Sequence, residues 1–187
     1  MKNDWFNLPN SITLARILAV PLFVSVLLVE PDKTSPWRWL AVLLFVAAIA
    51  TDGLDGAVAR KRNLVTDLGK LLDPIADKAL FGSLLVVLSM LGEISWWFTV
   101  LILVRELGIT AYRMAVVKNR VIAASAGGKA KTIMQGITLG FLLSPLDVYW
   151  TPLATIELVA LVLTTAVTLY TGAQYVWVAV RSGEARG

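Results

Sequence analysis

The sequence predicts an all-α integral membrane protein with six transmembrane helices and both termini on the cytoplasmic side. Three observations predict it. Hydrophobic residues make up 57% of the 187 residues and charged residues 16%, against roughly 45–50% and ~25% in soluble domains. The apolar residues gather into six stretches, most of them near the ~20 residues that a helix needs to cross the hydrocarbon. Lys and Arg concentrate in alternate connections, as the positive-inside rule requires. At this length a single domain is expected, and the chain shows no linker-like segment and no internal repeat.

The first span runs from about Ile12 to Val29. Arg16 and Pro21 interrupt it, and Val29-Glu30-Pro31 lacks the small residues of a cleavage site. It therefore reads as a retained helix rather than a signal peptide. The second span runs from Trp37 to about Ala59, the third from about Leu68 to Leu91, and the fourth from Ile94 to about Val117. The fifth, from about Lys131 to Leu146, has a short apolar part, and the sixth runs from about Tyr149 to Val180.

Arg60, Lys61, Arg62 and Lys70 follow span two, and Lys118, Arg120, Lys129 and Lys131 follow span four. Lys2, Arg181 and Arg186 lie at the termini, while the opposite side holds only Lys33 and Arg38. The termini and these two basic connections are thus expected in the cytoplasm. Trp37, Trp39, Trp96, Trp97, Tyr149 and Trp150 fall at the other ends of the spans, where an interfacial belt belongs. The segment Asp4-Trp5-Phe6-Asn7-Leu8 reads equally as an interfacial stretch or a disordered start.

The chain has no His and no Cys. Disulfides, thiolate nucleophiles, Ser-His-Asp triads, zinc fingers and iron–sulfur clusters are excluded. A general base must be a carboxylate, Lys or Tyr. A bound metal must take oxygen ligands, which suits Mg²⁺, Mn²⁺ or Ca²⁺.

Charges inside spans are costly, so each asks for a reason. Asp52 and Asp55 end span two. At ~100° per residue, with Asp52 at 0°, Asp55 falls at about −60°, Gly56 at about +40° and Ala59 at about −20°. These positions form one stripe of two carboxylates with room beside them, and Gly53 and Gly56 flank the acids in sequence, which suggests close approach by a backbone or ligand. Asp73 and Asp77 open span three, four residues apart and so on one face. A helix start near Thr66 or Asp67 and a bend near Pro74 are expected. Two readings stay open. Each aspartate pairs with a nearby Arg60, Lys70 or Lys78, or the four together hold two hard divalent cations, a common phosphoryl-transfer site.

The run Asp52-Gly53-Leu54-Asp55-Gly56-Ala57-Val58-Ala59-Arg60, followed by Gly69, Asp73 and Asp77, has the pattern D-x2-D-G-x2-A-R-x8-G-x3-D-x3-D. It resembles the signature of the CDP-alcohol phosphotransferases at all eight fixed positions, and the six-span reading agrees with that family's fold. Three further stretches resemble the bacterial phosphatidylglycerophosphate synthase branch of the family. They are Asn7 to Arg16, Arg105-Glu106-Leu107-Gly108-Ile109, and Gly128-Lys129-Ala130-Lys131-Thr132. Cardiolipin synthases share similar stretches.

The resemblance implies attack by the alcohol of glycerol 3-phosphate on the β-phosphate of CDP-diacylglycerol, giving phosphatidylglycerol phosphate and CMP. It implies two Mg²⁺ or Mn²⁺ ions held by Asp52, Asp55, Asp73 and Asp77, with Asp77 also the general base. Gly56, Arg60 and Gly69 match the nucleotide-binding positions. The resemblance also implies a homodimer in the cytoplasmic membrane, with membrane lipid as partner and no nucleic acid.

A free carboxylate of pKa ~3.9 is a weak base for an alcohol, so Asp77 reads either as a base or as an aligning group. The acceptor brings a phosphate dianion and needs cations. Arg105, Arg113, Lys129, Lys131 and Arg120 are the candidates. Arg105 stands mid-span, and Arg113 shares its face two turns on. The competing reading for Arg105 is an ion pair with Glu157 or an aspartate, since Glu106 is expected to point elsewhere. For Lys129 and Lys131 the competing reading is topology signalling. Gly127-Gly128 is expected to form a turn that offers backbone amides to phosphate. Asn10, Thr13 and Arg16 read as additional site residues or as capping and topology signals. Glu157 has no assignment. Another acceptor, such as phosphatidylglycerol or inositol phosphate, and a cation or proton transporter are the alternative functions.

Overall fold

The computed structural model describes residues 8–61, 67–116 and 126–184, and every regular element among them is helical. The order is α1 (Leu8–Val29), α2 (Pro36–Lys61), α3 (Asp67–Met90), α4 (Trp96–Val116), α5 (Ala126–Leu143), α6 (Leu146–Tyr149) and α7 (Pro152–Glu184). The four-residue α6 is a single turn, so six long helices correspond to the six predicted spans. Spans two to four agree with α2 to α4 within two residues.

The fifth element differs. Gly127 and Gly128, expected in a turn, lie in the first turn of α5, which starts five residues before the predicted Lys131. It stops at Leu143, where Pro145 has no N–H to continue the ladder and Ser144 N donates back to Phe141 O at 3.0 Å. Residues 4–7, the expected interfacial or disordered start, lie outside the described residues.

Among the described residues one helical stretch, Pro152–Val178, is long and apolar enough to cross a membrane unaided. Thr13–Val29, Pro36–Thr51, Lys78–Met90 and Ala130–Leu143 are shorter apolar stretches. In α2 and α3 the cause is visible: the end of one and the start of the other carry the aspartate motif.

Side-chain placement is the reverse of a soluble domain. Leu18, Leu43, Val104, Leu163 and Tyr170 are exposed, while Arg38, Glu106, Lys131, Gln135 and Glu157 are buried. Such a surface is suited to lipid, which does not penalise exposed leucine. Trp37, Trp39, Trp96, Trp97, Tyr149 and Trp150 are all exposed.

Helix α1 packs on α2 and α3, α3 packs on α4, α5 packs on α2 and α3, and α7 packs on α4 and α5. Phe45 joins the first three helices. Its ring lies 6.1 Å from Phe23, nearly parallel at 27°, and 6.0 Å from Phe81, edge-on at 86°. Hydroxyl pairs tie other helices: Ser89 to Thr99 at 2.7 Å across α3–α4, and Thr138 to Thr164 at 2.8 Å across α5–α7. Each such bond contributes ~0.6 kcal/mol within a membrane protein.

Gly92 ends α3 with φ 74. Its N–H donates to Ser89 O at 3.1 Å, and the N–H of Glu93 to Leu88 O at 2.9 Å. This is the paired-bond glycine cap in which a left-handed residue satisfies the last carbonyls. The turn sets Glu93 against Arg38, the largest fully buried side chain. Arg38 also donates through Nε to Leu143 O at 2.8 Å. Lys33 Nζ donates to Asp147 at 2.8 Å and lies 3.9 Å from both Glu93 and Glu157. The two cations that the sequence placed on the far side thus clasp three acids from α7, α6 and the α3–α4 turn. Glu157, unassigned from sequence, belongs to this clasp. Nearby, Asp32 accepts from the N–H and hydroxyl of Thr34, both at 2.8 Å, which hold its carboxyl below the usual range.

Candidate active site

The clasp gathers one end of the bundle. The C-terminal ends of α2 and α4 and the N-terminal ends of α3 and α5 therefore lie at the other. Asp52 and Asp55 fall near the end of α2, and Asp73 and Asp77 in the first half of α3. Both helices run unbroken through these positions, so the spacing of three and of four keeps each pair on one helix face. Helix α3 begins at Asp67, as expected. Gly56 and Arg60 continue α2, and Gly69 lies in the first turn of α3. The side chains of Asp52, Asp55, Arg60, Asp73 and Asp77 lie outside the described residues, as do those of Asn10, Arg113 and Lys129 and the whole of Arg120. As a donor set, four carboxylates fit hard divalent cations and no softer metal. Among the described residues, no group of three or more acids is placed to hold a metal.

The described charges converge instead on Glu106, in the middle of α4. Its carboxylate accepts from Lys78 of α3 and from Lys131 of α5. It also accepts from Nη1 of its neighbour Arg105 at 2.7 Å. This corrects the expectation that Glu106 points away from Arg105. Adjacent helix positions diverge by ~100°, but both side chains are long and meet at their tips. Arg105 pairs with neither Glu157 nor any described aspartate. Its Nη2 donates instead to the hydroxyl of Thr171 on α7 at 3.0 Å, and its Nε is buried with no hydrogen-bond partner among the described residues.

The balance of charge is uneven. Three cations meet one carboxylate, and the side chains of Glu106 and Lys131 are each 6% exposed. Among the described residues the cluster holds more cations than acids, a balance that suits an anion, and Lys78, 30% exposed, is its most open member. Lys131 is thereby a buried network member rather than an exposed topology signal. Thr13 and Arg16, buried on α1, are the described members of the additional group read from the sequence.

Beyond Arg105 lies a mostly apolar groove of about 500 Å³ between α4 and α7, with Val104, Gly108, Tyr112, Gly172 and Val176 in its walls. Arg105 thus links the cation cluster to an open, mostly apolar groove. Sequence reasoning has Glu106 only within a resemblance stretch and Lys78 only as a candidate aspartate partner, and it missed Thr171 and Gly172. A signal existed for the first two: an acid and a lysine at mid-span both need partners.

The chain is similar to known proteins over most of its length. A family model described as CDP-alcohol phosphatidyltransferase matches residues 6–176. A probable phosphatidylglycerophosphate synthase of Mycobacterium tuberculosis is 43% identical over 175 residues, covering 94% of this chain and 82% of the relative. A CDP-diacylglycerol–glycerol-3-phosphate 3-phosphatidyltransferase of Bacillus subtilis is 40% identical over 148 residues, 74% of this chain and 77% of the relative. One of the same name from Shigella flexneri is 36% identical over 179 residues, 91% and 93% of the two chains.

Proposed function

The chain belongs to the CDP-alcohol phosphatidyltransferase family, and on that premise we propose that it transfers the phosphatidyl group of CDP-diacylglycerol to glycerol 3-phosphate. The names of its relatives support this donor and this acceptor. The structural observation that carries the reading is the convergence of Lys78, Arg105 and Lys131 on Glu106. Lys78 follows directly after Asp77 in α3, and the cluster suits an acceptor that bears a phosphate.

Asp52, Asp55, Asp73 and Asp77 hold two divalent cations, Mg²⁺ or Mn²⁺, in this reading. Such ions supply charge neutralisation of the pyrophosphate and of the departing phosphate oxygen. Gly56 and Gly69 leave space for the cytidine diphosphate, and Arg60 contacts it. Arg105 and Lys131, together with Arg113, Lys129 and Arg120 of the sequence reading, bind the acceptor phosphate. Asn10, Thr13 and Arg16 support the site from α1.

The primary hydroxyl oxygen of glycerol 3-phosphate forms a bond to the β-phosphorus. The bond from that phosphorus to the oxygen bridging it to the CMP phosphate breaks, and CMP leaves with the electron pair. Asp77 aligns the hydroxyl and receives its proton as the new bond forms. Holding both reactants in line is most of the catalysis, because bound geometry replaces an improbable encounter.

The same reading places a single six-span domain in the cytoplasmic membrane, with both termini and the aspartate end facing the cytoplasm. The lysine and arginine distribution supports that orientation, and the exposed apolar side chains support the membrane. The homodimeric state rests on the family resemblance alone.

The test is release of CMP by the purified protein with CDP-diacylglycerol and a panel of acceptors: glycerol 3-phosphate, phosphatidylglycerol and inositol phosphate. Turnover with glycerol 3-phosphate is expected. An inert glycerol 3-phosphate beside an active alternative acceptor would overturn the assignment.

A further inference from the structure

We infer that Glu106 is the positioning residue of the acceptor-phosphate site, and that Lys78 is that site's third cation. The inference rests on the phosphorylated-acceptor reading above and adds to its acceptor site two residues to which the sequence reading gave no such role.

Three helices each send one cation to the same carboxylate: Lys78 from α3, Arg105 from α4 and Lys131 from α5. No two of the three cations are held together by anything else among the described contacts. Without Glu106 they would repel one another in a setting of low dielectric. With it they stand within one carboxylate's reach and, counted over the described residues, still carry a formal surplus of two positive charges, since three cations meet one described acid. A phosphate monoester dianion carries two negative charges and offers three oxygens to three donors. The lysines keep donors for it, since each has further N–H groups.

A small cavity is lined by Lys78, Glu106, Lys131, Thr132 and Gln135, with Phe81 and Leu103 closing its apolar side. Lys78 also follows Asp77 in sequence, so α3 supplies the aligning carboxylate and a phosphate contact from consecutive positions. That couples where the acceptor's phosphate sits to where its hydroxyl is presented.

A positioning role and a charge-balancing role give opposite signs. Glu106→Gln raises the cluster's formal charge from two to three positive. If the carboxylate merely offset charge, phosphate would bind more tightly. If it sets the geometry of the cations, phosphate binds more weakly despite the added charge.

The experiment uses the full-length protein in detergent, with wild type, Glu106→Gln, Glu106→Asp and Lys78→Met. Its readouts are KM for glycerol 3-phosphate, KM for CDP-diacylglycerol, kcat, and the rise in thermal midpoint on adding inorganic phosphate. Glu106→Gln is expected to raise the glycerol 3-phosphate KM by roughly tenfold or more, the size of a lost hydrogen bond to a charged group. The KM for CDP-diacylglycerol is expected to stay within about twofold, because that donor is held elsewhere. Glu106→Asp restores part of the loss, and Lys78→Met reproduces it at smaller size. An unchanged or lowered glycerol 3-phosphate KM in Glu106→Gln overturns the inference, as does an unchanged KM in Lys78→Met. If Glu106→Gln does not fold, Lys78→Met, which changes a partly exposed side chain, decides alone. If wild type does not turn over glycerol 3-phosphate, the acceptor reading has failed, and inorganic phosphate still tests the cluster. Wild type must then be stabilised by phosphate and both variants less so. A wild type indifferent to phosphate overturns the site itself.

Discussion

Gly172 of α7 lies directly against the side chain of Arg105 on α4. A Cβ at position 172 would sit 2.9 Å from both Cγ and Nε of that arginine. Carbon does not approach so closely without displacing its neighbour, and the atoms in the way belong to the stem of Arg105 as well as its head. Gly172→Ala is therefore expected to push Arg105 off Thr171, whose hydroxyl it reaches at 3.0 Å. The glycerol 3-phosphate KM should rise by roughly tenfold, the effect of one lost charged hydrogen bond. Helix propensity works in the other direction, favouring alanine by ~1 kcal/mol, so the thermal midpoint should hold or rise. Steady-state kinetics beside a melting curve separates the two. A lowered midpoint with unchanged KM would show that the glycine serves packing alone.

Metal removal is the test of the aspartate end. Chelation should abolish CMP release, and added Mg²⁺ or Mn²⁺ should restore it. Asp55→Asn and Asp73→Asn should each lower kcat by about 100-fold or more, since several kcal/mol of charge stabilisation are at stake and each ~1.4 kcal/mol is a factor of ten. Both variants keep the helix spacing, so their far-ultraviolet dichroism should match wild type. Activity retained in either purified variant would remove that residue from the metal set.

The sequence revealed the helices well and the interior contacts poorly, for physical reasons. Apolar runs mark a span wherever lipid surrounds it, so α2 to α4 were placed within two residues. The fifth helix was misplaced because glycine pairs favour turns only when nothing else constrains them, and Gly127 and Gly128 begin α5 instead. The aspartate pattern was legible because its spacing is local. The Glu106 hub was not, because its partners come from three helices and sequence neighbours are assumed to point apart. Lys33, Glu93, Asp147 and Glu157 were opaque for the same reason: each stands alone in sequence and finds its partners only at the bundle's end.

Gly92 is expected to resist substitution, because its φ of 74 lies where side chains are strained and not because space is short; nothing stands within 4 Å of an added Cβ. Gly92→Ala should cost about 1–2 kcal/mol, while Gly92→Asn, which tolerates that backbone region better, should cost less. Thermal midpoints of the two variants give the comparison. Equal losses would mean that crowding, rather than backbone conformation, sets the cost.

Arg38 tests whether the far-end clasp is structural. It is fully buried, pairs with Glu93 and donates to Leu143 O at 2.8 Å. Arg38→Met strands Glu93, whose remaining cation, Lys33, lies 3.9 Å away. Breaking one side of a buried pair costs ~3–5 kcal/mol, whereas replacing both partners with apolar groups is often close to neutral. Arg38→Met should therefore lower the thermal midpoint sharply, and the double variant Arg38→Met with Glu93→Met should recover most of it. Recovery should fall short of complete, because the Leu143 carbonyl has lost its donor in both. The clasp lies at the opposite end of the bundle from the aspartates, so kcat and both KM values of the folded fraction should stay near wild type. Loss of turnover at a temperature where Arg38→Met remains folded would instead tie the clasp to the movement of substrate or product.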